Sequence, residues 1–139
     1  MNTPLTGLLA ALTLMFALPA LASAQDTSHA GGWDNQDYAI AGDWQIETRA
    51  DGRYLVLSED FRTRRGPDLK IFFSALPADQ VTGNNAADGY FLAELERNRN
   101  GQEYRLPDDL DLSDYNSVII HCERFSKLWG AGHLTSTAS

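Results

Sequence analysis

The sequence holds a single cysteine, Cys122, in 139 residues. A lone thiol excludes an internal disulfide, and without a Cys-x-x-Cys-His run covalent c-type haem attachment is excluded too. Methionine is nearly as scarce. Met1 and Met15 both precede residue 25, so the rest of the chain has no thioether to serve as an axial metal ligand. The longest apolar run, Leu8 to Leu21, is short of the about 20 residues that span a bilayer comfortably, and no Lys or Arg precedes it. Basic residues are few, 11 against 19 acidic, for a net charge of −8. That balance argues against nucleic acid and anionic membrane surfaces, where phosphate contacts require clustered Lys and Arg. The cations bunch once, at Arg62, Arg64 and Arg65. No segment keeps a helical period, and no internal repeat occurs.

At the amino end the chain reads as an export signal. Leu8 to Leu21 leads to Ala22-Ser23-Ala24, small residues with the spacing a signal peptidase accepts, so residues 1–24 are expected to be removed before Gln25. A retained amino-terminal anchor is the alternative. No cysteine follows the run, so lipid attachment is unsupported. Removing 24 residues leaves 115, enough for one domain and too few for two. That mature part carries the whole net charge and no membrane span, which predicts an extracytoplasmic protein, periplasmic or secreted. An unpaired thiol there has four readings: a buried packing residue, a redox thiol, a cofactor ligand, or half of an intermolecular disulfide.

Residues 25–41 are rich in Asp, Asn, Gly and Ser and predict a flexible lead-in. Short strands follow. Trp44, Ile46 and Thr48 alternate with polar residues, Ala50-Asp51-Gly52 offers a tight turn, and Leu69, Ile71 and Phe73 alternate again. Residues 75–89, with Pro77, Gly83 and Gly89, predict a long loop. Phe91 to Leu95 fits a strand or a helical turn. Asn100-Gly101 is a hairpin signal leading into Gln102 to Leu106, which Pro107 ends. Asp111 to Asn116 predicts an acidic helical turn, Ser117 to Phe125 a strand with Cys122 near its end, and Lys127 to Leu134 a last strand. The fold expected is all-β, an antiparallel sandwich of about eight short strands, with residues 135–139 as a tail.

Three pieces together carry a likeness. Asp60-Phe61 precedes Gly66-Pro67-Asp68-Leu69; Tyr104-Arg105-Leu106-Pro107 follows; then come Tyr115, Val118, Ile120, Cys122 and Phe125. In order and spacing they resemble the DM-thirteen domain, a small extracellular all-β module found alone in bacteria or beside DOMON domains. The likeness covers about residues 42–134. It implies an electron-transfer role centred on Cys122, as a bare thiol or as a ligand for a group such as haem. It implies motif roles for Phe61, Gly66, Pro67, Asp68, Tyr104, Leu106, Pro107, Tyr115 and Phe125. His121 stands where a large aromatic is usual, Trp129 where Phe is common, and Gly132 where a small Ala is common.

The residues themselves leave several chemistries open. By alternation Cys122 shares a face with Val118 and Ile120, which suits packing. A redox thiolate wants nearby positive charge and access, and Arg124 lies on the same face if the strand continues. Nucleophilic catalysis needs a histidine within reach; His121 projects from the opposite face, so His133 would have to come from the next strand. A b-type haem would use Cys122, His121, His133 or His29, and Cys122 with His121 could share an iron only if a bulge intervened. Zinc and copper lack ligand spacing. The acidic stretch Asp108 to Asp114 suits turns and caps better than calcium. Phe61, Tyr104, Tyr115 and Trp129 are core or pocket, and Arg62 to Arg65 are a solvated loop or a seat for an anion. The function expected is an electron-transfer or redox accessory module, more a module than a stand-alone enzyme, with an unknown redox or cell-surface protein as partner. The alternative is a non-catalytic binding or adhesion module with a structural cysteine.

Overall fold

The computed structural model describes residues 26–137, together with residues 2, 4, 7 and 12–18. The proposed cleavage site at Ala24 lies outside them. Residues 12–18 carry no regular secondary structure, and no helix among the described residues is long and apolar enough to cross a membrane.

Two antiparallel sheets pack face to face. The first has the order β1 (Asp26–Gly31), β4 (Trp44–Arg49), β5 (Gly52–Leu57), β9 (Gln102–Leu106). The second has the order β2 (Asn35–Gln36), β11 (Lys127–His133), β10 (Ser117–Cys122), β7 (Leu69–Ser74), β8 (Tyr90–Glu94). A small ribbon pairs β3 (Ile40–Ala41) with β6 (Arg62–Thr63). The expected all-β sandwich is present, with eleven strands in place of about eight. β2, β3 and β6 have two residues each, too few to show an alternation.

Strand alternation builds the core. Trp44 and Ile46 of β4, Leu55 and Leu57 of β5, and Tyr104 and Leu106 of β9 meet Leu69, Ile71 and Phe73 of β7 and Val118, Ile120 and Cys122 of β10. The second sheet is covered on its outer face as well. There Phe72, Ile119, Leu128 and Ala131 pack against Ala78, Val81 and Ala86 of the long loop. Asn35 fixes that loop by donating from Nδ2 to the carbonyls of Ala78 and Val81, each at 2.9 Å. β10 is therefore buried at every residue, as a strand covered on both faces must be.

Four expectations are corrected here. The lead-in of residues 25–41 carries β1, β2 and β3; β1 pairs with β4 from Asp26↔Thr48 to Gly31↔Trp44. Its polar sequence hid it, because the partner backbone and not an apolar face holds it. Asn100-Gly101 does not close a hairpin: β8 pairs with β7, and β9 pairs with β5 in the other sheet. Asn100 still takes the turn backbone expected of it, with φ 70°. The tail is anchored, since Ser136 bridges to His29 and the Thr137 N–H donates to the Ser28 carbonyl at 2.8 Å. The strand of Cys122 ends at that residue and does not run on to Phe125.

Trp44 shows how tightly the two sheets meet. Its indole is 1 % exposed and donates from Nε1 to the Gly32 carbonyl at 2.9 Å. Gly31 and Gly132 leave it room: a Cβ on Gly132 would lie 2.2 Å from the Gly32 oxygen and 2.6 Å from Trp44 Nε1.

Candidate functional site

Cys122 closes β10 opposite two strand starts, Leu69 of β7 and Lys127 of β11. The chain then turns through Glu123 to Ser126, and the Glu123 N–H donates to the Asp68 carbonyl at 3.1 Å. Lys70 pairs with both Asp68 and Glu123 across this end. Gly66 and Trp129 pack closely beside it; a Cβ on Gly66 would sit 2.7 Å from Leu69 Cδ2 and 3.1 Å from Trp129 Cη2. Trp129 also donates from Nε1 to the Arg64 carbonyl at 3.0 Å. The Gly66-Pro67-Asp68 segment is thus stitched to both strands that flank the thiol. Cys122 itself is 0 % exposed within the main core.

The other candidate donors are dispersed. β10 runs in unbroken register against β7 from Ser117↔Ser74 to Cys122↔Leu69. A register shift does occur on the other side, where Ile120 pairs with Gly130 and His121 with Leu128. The extra residue is Trp129 of β11, so β10 keeps its alternation and His121 faces away from Cys122. His133 pairs with Ser117 at the far end of β10, five residues or about 16 Å along the strand from the thiol. There its Nδ1 accepts from the Ala78 N–H at 3.4 Å. His29 is on the first sheet, its Nδ1 2.9 Å from Ser28 Oγ. Arg124 is exposed in the turn, because the strand ends before it; its expected place on the Cys122 face is corrected. No group of three or more His, Cys, Asp or Glu residues among the described ones could hold a metal. The donors do not fit a haem ligated by Cys122 and a histidine.

His121 is 1 % exposed, and its Nδ1 lacks a hydrogen-bond partner. The ring meets Phe72 edge-on at 6.1 Å. Burial lowers its pKa, against a smaller opposing pull from Glu123 and from a hydrogen bond to the Lys127 backbone. A lowered imidazole pKa means that the unfolded chain binds more protons below about 6.5, so stability is full above that pH and declines as acid approaches the folded value. His29 is also lowered, chiefly by burial and then by Arg53, and adds to the same window. We expect His121→Phe to gain roughly 1–2 kcal/mol near pH 5.5 by removing the orphaned ring nitrogen, and to flatten part of the acid slope. Urea midpoints at two pH values check this; an unchanged slope would count against it.

The motif aromatics divide. Phe61 and Leu106 are buried. Tyr104 is buried with its hydroxyl donating to Gln102 Oε1 and accepting from the Glu96 N–H at 2.9 Å, and burial pushes its pKa up to about 12. Tyr115 is half-buried against Phe73 and Tyr90. Pro107 ends β9, its carbonyl accepting from Arg53. Asp111 caps the turn at Leu112–Asp114 by accepting from the Ser113 N–H. Phe125, a motif residue, is 65 % exposed and helps line a cleft of about 290 Å³ with Tyr38, Arg64, Pro67, Lys127 and Trp129.

A family model described as electron transfer DM13 matches residues 24–134. The chain belongs to the electron transfer DM13 family. Neither the curated proteins nor the solved structures gave a match. The DM13 match begins before β1, so the strands of the supposed lead-in fall inside the domain. Sequence reasoning missed Arg97 and Arg99, which the Arg62↔Arg99 bridge brings beside the Arg62 to Arg65 cluster. The pair Arg97-x-Arg99 just before the Asn100-Gly101 turn was the available signal.

Proposed function

We propose that this DM13 protein is an exported, redox-associated accessory domain and not a stand-alone enzyme, with Cys122 as the group on which the role centres. The electron-transfer label of the family supports the redox class, and the apolar run with Ala22-Ser23-Ala24 supports export. One observation carries the cysteine assignment: Gly66 to Leu69 and Trp129, far apart in sequence, converge at the strand end that holds Cys122. The partner is then a redox or cell-surface protein outside the cytoplasm.

Burial narrows how such a thiol works. A disulfide between two molecules needs each sulfur to give up a proton and an electron at a shared, accessible interface, and Cys122 has no exposure. Electron exchange therefore passes through packed protein to a docked partner, or follows local opening of this end. Nucleophilic chemistry is not supported, since no histidine shares the Cys122 face.

Mediated redox titration and oxidised-minus-reduced spectra of the purified protein and of Cys122→Ser test the assignment. We expect any redox signal of the native protein to vanish in the variant with its circular dichroism unchanged. A variant that keeps every redox property overturns the reading. The complete enclosure of the thiol favours a second reading in that event, a binding module in which the cysteine only fills the core.

A further inference from the structure

In a protein of net charge −8, four guanidiniums converge on one cleft. Arg62, Arg64, Arg65 and Arg99 line a concavity of about 620 Å³ whose floor includes Tyr38 and Ala41. None of its lining residues is acidic. The four arginines make no ion pair among the described residues, whereas Arg49, Lys70, Arg105 and Lys127 are each paired with a carboxylate. Arg53 and Arg97 are held by backbone carbonyls. Arg64 alone of the four has a partner, the face of Tyr38 at 5.2 Å.

This clustering is built by the fold. Ala41 pairs with Arg62 across the small ribbon, and Arg62 bridges to Arg99. The Thr63 N–H donates to the Asn98 carbonyl at 2.8 Å, and Asn98 Nδ2 donates back to the Thr63 carbonyl at 3.0 Å. Like charges held on a fixed backbone repel each other, and an anion relieves that repulsion. Guanidinium forks recognise carboxylate and phosphate through paired hydrogen bonds. The floor adds a second requirement. Tyr38 lies against Trp129 with ring centroids 4.3 Å apart, so an apolar, flat body has an aromatic surface to meet.

We infer that this cleft binds a small amphipathic anion: a flat apolar body bearing a carboxylate or phosphate, the anionic group held by Arg62, Arg65 and Arg99 and the body lying toward Tyr38. The inference is independent of any redox role for Cys122.

Fluorescence titration of the full chain with two probes tests it, 1-pyrenebutyrate for a carboxylate and flavin mononucleotide for a phosphate. Inorganic pyrophosphate serves as an anion without an apolar body. At least one aromatic probe should bind, and the stronger of the two identifies the anionic group preferred. Arg62→Gln with Arg99→Gln should weaken binding about tenfold or more, the scale of one charge-assisted hydrogen bond. Both positions are exposed, and circular dichroism checks that the fold is kept. Arg105→Gln, on the first sheet, should leave binding unchanged. Raising the ionic strength from about 0.05 to about 0.5 M should weaken it as well. Absence of binding by both probes overturns the inference, as does binding unaffected by the double variant or by salt. Pyrophosphate binding as tight as the aromatic probes removes the role of the floor and overturns the amphipathic assignment.

Discussion

Alkylation of Cys122 in the native protein is expected to be at least about a thousandfold slower than in the unfolded chain. The sulfur has no exposed surface, and its strand is paired on both sides at that residue. A reagent reaches it only after an opening. Each 1.4 kcal/mol of opening cost is a factor of ten, so about 4 kcal/mol gives the thousandfold. Domains unfold at about 5–15 kcal/mol, and local openings fall below that. The denaturant dependence separates the two. A rate that rises steeply with urea reports global unfolding; a flat one reports a local parting of the Gly66 to Asp68 segment and the Glu123 to Ser126 turn. The flat outcome would give the thiol a route to a partner without loss of the fold. Native alkylation within tenfold of the unfolded rate would contradict the enclosure described above.

Trp44→Ala is expected to cost about 3–5 kcal/mol, a large share of what a domain of this size has to lose. The indole fills the inter-sheet space among Ile46, Leu55 and Val118 of the same core cluster and holds the Gly32 carbonyl. Gly132→Ala should cost roughly 1–3 kcal/mol or more by overpacking, although an alanine is common there in the family resemblance. The added methyl would meet a backbone oxygen at 2.2 Å, which cannot swing aside as a side-chain tip can. Combining Gly132→Ala with Trp44→Phe tests whether the indole is the obstacle. Coupling of about 0.5–3 kcal/mol is the signature of groups in contact. Urea unfolding measures all three. A loss below about 1 kcal/mol for Trp44→Ala would place the weight of the core elsewhere.

What the sequence disclosed follows from how local each feature is. The turn at Ala50-Asp51-Gly52 joins β4 and β5 as its residue types require, and Val118, Ile120 and Cys122 face the main core as a period of two dictates. β1 escaped notice because Asp26 to Gly31 has no apolar alternation; its place comes from pairing with β4 and from glycines that admit Trp44. Burial of His121 was equally invisible. It depends on a loop of residues 75–89 folding over the outer face of the second sheet, which alternation within one strand cannot report. Arg124 was misplaced for a local reason, the turn that begins directly after Cys122. Arg97 and Arg99 joined the arginine cluster through a bridge across 37 positions to Arg62, and no spacing rule reaches that far.

β1 and the segment that ends the described chain lie edge to edge, with Ser136 against His29 and Thr137 Oγ1 donating to the Thr27 carbonyl at 2.7 Å. Entry and exit are therefore neighbours. A domain wired this way can be spliced into the loop of a host protein without stretching either junction, because the insertion point need only tolerate two adjacent strands. Tension applied through both ends would peel β1 away from Ser136 and Thr137 first, like the pull tab of a zipper, before the strand holding the sulfur felt the load.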